Sequence, residues 1–187
     1  MIKLQGDKIY LAALERDDCR KICEANEYDF DNPMEPTLFG WAVENADDWY
    51  EEIQKLIKSN VNIRVGIFLG DGRVIGDVAL QGIDMVNRSC SIGIGIAKRE
   101  DRGKGYGAEA IRLILGYGFS ILGMERITAS TLEINIPAQR VLEKLGFVLE
   151  GKARKAIYFR GQRFDEFNYS LLVDEYNAAC KKSNPLG

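Results

Sequence analysis

The sequence predicts an α+β fold: a mixed, mostly antiparallel sheet with one central parallel strand pair, flanked by helices. Three observations carry this. The elements run β-α-α-β-β-β-α-β-α-β-β, and a Gly70-Asp71-Gly72 turn joins two apolar runs into a hairpin. An amphipathic helix then links two later strands, and such a crossover makes neighbouring strands parallel.

Lys8 to Leu14 alternates as a first strand. Arg16 to Glu27 follows as a helix, with Asp17 and Asp18 opposing the dipole in its first turn. Residues 29–45 read as irregular, with Pro33, Pro36 and Gly40 set among Phe30, Met34, Leu38, Phe39 and Trp41. Ala46 to Ser59 is a second helix with Trp49, Ile53, Leu56 and Ile57 near one face. Val61 to Leu69 and Val74 to Gly82 form the hairpin, and Cys90 to Ala97 is the next strand after a turn at 84–89. From Gly105, the apolar residues Ile111, Ile114, Leu115, Gly118, Phe119 and Leu122 recur with a helical period. Ile127 to Leu132 is the strand this helix delivers. Asn135-Ile136-Pro137 opens a short helix ending at Leu145-Gly146. Phe147 to Lys155 and Phe164 to Val173, joined near Gly161, close the sheet. Residues 1–187 are expected to form one domain, its core over 7–175 and a short tail after it.

Composition narrows the function classes. A hydrophobic fraction of 46% and a charged fraction of 28% are those of a globular protein, and a net charge of −3 gives no case for nucleic-acid binding. No apolar run approaches the roughly 18 residues a membrane helix requires, and no signal peptide opens the chain. Cys19, Cys23, Cys90 and Cys180 lack metal-ligand spacing and read as free thiols, so a cytoplasmic protein with no metal is expected. The chain has no histidine. That removes Ser-His-Asp and Cys-His nucleophile systems and leaves proton transfer to a carboxylate, Tyr, Cys, Lys or water.

The most informative stretch is Gly93-Ile94-Gly95-Ile96-Ala97 followed by Arg102-Gly103-Lys104-Gly105-Tyr106-Gly107-Ala108. A Gly-rich loop at a helix start offers free backbone N–H groups at the positive end of the macrodipole, where phosphate oxygens bind. Arg102 and Lys104 add fixed positive charge. A plain helix start accounts for one glycine and not three. A Walker loop is excluded, because no Lys-Ser or Lys-Thr follows. Gly105-x-Gly107-x-x-Ala110 meets the loose dinucleotide pattern, but the mostly charged residues 98–104 separate it from the strand and Glu133 comes late for the ribose contact. Gly93 and Gly95 share one face of their strand, which suits either tight helix packing or close approach of a ligand.

Arg102-x-x-Gly105-x-Gly107 resembles the acyl-CoA pyrophosphate loop of the GNAT N-acetyltransferase superfamily. Asn135-x-x-Ala138 with Val141 to Phe147 resembles the segment that closes that fold's cofactor site. Leu11 to Asp18, and Gly161-x-x-x-Asp165 leading to Tyr169 to Leu172, are similar to the two ends of the ribosomal-protein alanine and spermidine acetyltransferase branch. The resemblance implies that the strand at 93–97 splays from the strand at 127–132 and admits pantetheine. It implies pantetheine contacts from Gly95, Ile96 and Ala97, pyrophosphate contacts from Arg102 to Ala108, and contacts to the cofactor from Asn135 and Lys144. Asn135 also suits a helix N-cap. The implied reaction is direct attack of a primary amine on acetyl-CoA.

Several positions depart from the family. Its tyrosine acid falls at Leu142, a serine used in another branch at Ala138, and glutamates used on two strands at Ser91 and, roughly, Ile157. Asn135, Tyr158, Glu133 and a water-mediated route remain as catalytic candidates. Residues 24–52 are rich in carboxylates among aromatics, and Glu24, Glu27 and Glu35 are the candidate contacts for a cationic acceptor: a polyamine, an aminoglycoside or a basic N-terminus. Solvated helix faces explain the same charges. A non-catalytic CoA-binding module is the alternative to an enzyme, and a homo-oligomer stays open.

Overall fold

The computed structural model describes residues 2–27 and 42–183. Most of the segment expected to be irregular over 29–45, including Glu35, lies outside the described residues. Five helices are α1 (Arg16–Ala25), α2 (Val43–Lys58), α3 (Tyr106–Gly116), α4 (Ile136–Lys144) and α5 (Val173–Ser183) among the described residues. The strands are β1 (Lys3–Gln5), β2 (Ile9–Ala13), β3 (Ile63–Leu69), β4 (Val74–Asp84), β5 (Ser89–Ile96), β6 (Arg126–Leu132), β7 (Val148–Phe159) and β8 (Gln162–Leu172). They form one sheet in the order β1-β2-β3-β4-β5-β6-β8-β7, antiparallel throughout except between β5 and β6.

The predicted elements recur with four differences. β1, only three residues long, is too short to carry a period and exists because Leu4 pairs with Leu11 of β2. α2 starts at Val43, earlier than its apolar stripe, because the Asn45 side chain accepts the Ala42 N–H at 2.8 Å and caps the first turn. α3 stops at Gly116 and widens into a π turn over Tyr117–Ile121, closed by Leu122 N–H to the Tyr117 carbonyl at 3.0 Å. α5 replaces the expected tail. Its first turn accepts the Leu172 N–H on Glu175, and its Tyr176 stacks on Phe119 of the π turn at 4.8 Å. That packing partner lies more than fifty positions away, so local pattern does not report it.

The two faces of the sheet carry separate apolar clusters. α3 packs on β2, β4 and β5, and α4 on β6, over a core that includes Leu11, Ile75, Leu80, Ile114, Ile127 and Tyr169. On the opposite face α1 packs on β4 and α2 on β3, around Leu14, Cys19, Ile53, Phe68 and Ala97. β4 is buried from Val74 to Leu80, as a central strand covered on both faces must be. Asp77 is the charged residue inside that run.

β4 and β5 lie unusually close at one point. A Cβ at Gly76 would overlap the carbonyl oxygen of Gly95, so only glycine fits opposite the end of β5. Gly76→Ala is therefore expected to push β5 away from β4 and to destabilise the fold by about 2 kcal/mol, read from urea unfolding.

Candidate active site

The parallel pairing of β5 with β6 covers three residue pairs: Ser89 with Arg126, Cys90 with Ile127 and Ser91 with Thr128. Among the described residues, β5 then continues to Ile96 bonded to β4 alone, while β6 continues to Leu132 bonded to β8 alone. The sheet is open between residues 92–96 and 129–132. On the opening's side, the backbone of β5 has no strand partner among the described residues. Such groups need partners, and an extended ligand carrying amides can supply them. Gly95 and Ile94 are exposed at this edge, whereas Ala97 at its end is buried. Thr131 lies on β6 past the last pair, 2% exposed, and its hydroxyl has no hydrogen-bond partner among the described residues. A buried orphan hydroxyl is costly in a finished core and inexpensive where a ligand completes it.

At the end of β5 the chain makes a 3-10 turn, Arg99–Asp101, and enters the Gly-rich loop. Gly103 and Gly105 hold φ of 75° and 89°, a left-handed conformation in which a side chain is strained. Gly105 is the N-cap of α3 and offers no side-chain cap. The N–H groups of the first turn, residues 106–108, therefore have no intrahelical acceptor and point out of the helix start. The loop is pinned on three sides. Asp101, 2% exposed, accepts from Arg73 Nη1 at 2.7 Å and Nη2 at 3.1 Å, with Lys104 Nζ 3.7 Å away. Lys8 Nζ donates to the Lys104 carbonyl at 3.2 Å. Buried Glu109 accepts the backbone N–H groups of Asp7 and Lys8, which ties α3 to the turn before β2. Arg102 folds back, its Nε donating to the Ile96 carbonyl at 3.1 Å. Gly107 faces Ile94 of β5.

α4 stands beside β6. The Asn135 side chain accepts the Ala138 N–H at 3.2 Å, so it caps α4, and Lys144 is exposed in the last turn. Leu142, where the family's tyrosine acid would fall, is buried in the core. Tyr158 is brought to neither edge of the opening, and Glu133, the residue after Leu132 of β6, turns its carboxylate to β8. The Glu133 carboxylate accepts the Asp165 N–H at 2.9 Å and braces β8. Tyr158 is 64% exposed on β7 opposite Arg163, past Glu166, where β8 stops pairing with β6.

On the α1 and α2 face, many of the expected acceptor carboxylates already have partners. Asp47 takes a two-point contact from Arg20 at 2.9 and 2.7 Å, and Arg16 bridges to Glu51. The Arg20 contact holds the Asp47 carboxyl below the usual carboxylate range. Glu27 accepts the Arg99 N–H at 3.0 Å and donates its own N–H to Ala97, so it joins the end of α1 to the end of β5. Glu24 is exposed on α1.

Sequence reasoning missed one feature here. Asp77 of β4, 8% exposed, is ion-paired with Arg64 of β3, whose guanidinium lies 5.9 Å from the Trp49 ring of α2. Burial pushes the Asp77 carboxyl up, and Arg64 opposes that push. A charge inside Val74-Ile75-Gly76-Asp77-Val78-Ala79-Leu80 was the available signal.

The model of the acetyltransferase (GNAT) domain matches residues 8–148. YdaF of Bacillus subtilis (strain 168) is 39% identical over 108 residues, 58% of this chain and 58% of YdaF. YjcK of the same organism, by name a probable N-acetyltransferase, is 33% identical over 171 residues, 84% of this chain and 90% of its own. Among solved structures, the spermidine N-acetyltransferase of Vibrio cholerae in complex with CoA and spermine superposes with a TM-score of 0.75. It is 29% identical, over 92% of this chain and 99% of that one.

The clamp on the loop sets a pH dependence. The Arg73 guanidinium lowers the Asp101 pKa, so its contribution is complete above the unfolded carboxyl's pKa and is lost as pH falls below about 4. Asp101→Asn is expected to lower stability at pH 7 by about 2 kcal/mol and by progressively less in acid, measured by urea unfolding across pH.

Proposed function

The chain belongs to the acetyltransferase (GNAT) family, and from that premise we propose that it moves an acetyl group from acetyl-CoA to a primary amine. The observation that carries the reading is the opening between β5 and β6 with the start of α3 at its end. An acyl-CoA has an amide-bearing arm and a pyrophosphate, spaced to use both. In this reading the arm lies along the backbone of Gly95, Ile96 and Ala97. The Thr131 hydroxyl completes its hydrogen bonding on the arm's amides, and Asn135 contacts the arm or a water beside it. Residues 102–108 take the pyrophosphate on backbone N–H groups, with Arg102 and Lys104 supplying charge and Lys144 reaching the nucleotide end.

The amine must arrive from the face opposite α3, because α3 and α4 flank the arm. An amine with a pKa near ~10 is mostly protonated at neutral pH and must lose a proton before it attacks the thioester. Backbone N–H groups of the open strand stabilise the oxyanion that forms. We assign the acceptor to small polyamines, in keeping with the spermine held by the Vibrio cholerae neighbour, and place the reaction in the cytoplasm, where free thiols such as Cys19 and Cys23 persist. A CoA-binding module without chemistry is the second reading. It is favoured by Leu142, Ala138, Ser91 and Ile157 standing where the family's acids and bases fall.

Thiol release from acetyl-CoA with a panel of polyamines, aminoglycosides and basic N-terminal peptides separates the two. Amine-dependent release is expected; CoA binding with no release by any amine would establish the module. Gly107 lies in the first helical turn at an ordinary φ, with room for a Cβ 3.6 Å from Ile94. Gly107→Glu should therefore fold normally and weaken CoA binding at least tenfold, roughly 1.4 kcal/mol, through bulk and charge at the phosphate site. Unchanged affinity by calorimetry would sink the loop assignment.

A further inference from the structure

We infer that Asp77 is the carboxylate that receives the acceptor's ammonium group and takes its proton, an assignment that rests on the acetyltransferase reading above. Asp77, Ala79 and Gln81 alternate on β4 toward α1 and α2, directly opposite Gly95, Gly93 and Ser91 of β5. The two glycines leave that face of β5 without side chains at residues 93 and 95. A Cβ at Gly95 would stand 3.6 Å from Asp77 Oδ1, and one at Gly93 would stand 3.1 Å from Gln81 Oε1. The Gly95 position is therefore bordered by a carboxylate oxygen, and the Gly93 position by the Gln81 amide, whose Nε2 lies 3.4 Å from it. Both lie on the strand whose other edge is open to the arm of the acyl donor.

The carboxylate is divided between two tasks. Arg64 Nη1 holds Oδ2, which fixes the rotamer and supplies the charge that keeps a buried carboxylate in place. Oδ1 is the oxygen on the Gly95 side, and among the described residues no donor reaches it. The charged and titratable groups facing Asp77 are Arg64 from β3 and the thiols of Cys19 and Cys23 from α1. Burial raises both thiols, Cys19 to about 12, so neither adds charge at neutral pH. Burial also raises Asp77, which makes it a better proton acceptor than an exposed aspartate.

The step balances. A proton passes from the ammonium group to Asp77 Oδ1. The freed nitrogen pair forms the N–C bond at the thioester carbonyl. The adduct expels the thiolate as the C–S bond breaks, and a second proton from that nitrogen goes to sulfur. Asp77 then returns its proton to water. Ionised Asp77 is the working form, so kcat/KM for the amine should fall as pH drops through its pKa.

The test compares wild type, Asp77→Asn and Arg64→Gln, each with acetyl-CoA affinity by calorimetry and a pH profile of spermidine-dependent thiol release. For Asp77→Asn, donor affinity within about twofold of wild type is expected, with kcat/KM for spermidine lowered about 100-fold and the acid limb lost. Arg64→Gln removes the cation that holds the carboxyl down, so its acid limb should move to higher pH. Unchanged kcat/KM and an unchanged acid limb in Asp77→Asn overturn the assignment while leaving the acetyltransferase reading intact. If Asp77→Asn no longer binds the donor, the Arg64→Gln profile decides, and an unmoved acid limb overturns it. Wild-type protein that binds acetyl-CoA but releases no thiol with any amine overturns both.

Discussion

The end of parallel pairing at Ser91 and Thr128 is the constraint on which the rest of the molecule depends. A sheet that stayed paired along all of β5 would satisfy its own backbone and leave nothing to bind. Here each of the two central strands keeps one full ladder on its outer side, β5 with β4 and β6 with β8. The opening therefore costs only the few bonds between them. Those ladders hold the gap open, and the apolar cluster beneath α3 keeps both strands anchored at the end where they still meet.

The loop beyond the opening depends on long-range ties. Three glycines that favour anion binding are also poor at fixing one conformation, since glycine is free in the unfolded chain. The clamp of Arg73 on Asp101, the Lys8 contact and the Glu109 carboxylate restore that order from outside the loop. Each reaches across the chain: Arg73 comes from the β3–β4 hairpin and Lys8 from the start of β2. The loop's flexibility is thus local, and rigidity is supplied by neighbours.

The α1 and α2 face uses charge differently. Arg16 and Arg20 draw α1 and α2 together through Asp47 and Glu51, so part of the acidic character between residues 24 and 52 is structural. The Arg64–Asp77 pair differs because it is sheltered, with Trp49 beside the guanidinium and Gly95 beside the carboxylate. Sheltered pairs respond to the removal of one member far more than exposed pairs do.

Much of the fold was legible in residue order. The Gly70-Asp71-Gly72 turn, the period of the helix after Gly105 and the Asn135 cap each report local backbone preference, and each is where the pattern placed it. The Gly-rich loop likewise announced a helix start, and α3 begins there. By itself the sequence determined most of the elements and the one parallel crossover, because turns, caps and helical periods follow from interactions within a few residues. Tertiary structure alone decided where β5 and β6 part, that Thr131 is buried with no hydrogen-bond partner among the described residues, and that Glu133 turns its carboxylate to β8 while Asp77 faces Gly95. Those facts depend on which strands lie side by side and in what register. Register is set by the packing of residues far apart in the chain, which no local pattern encodes.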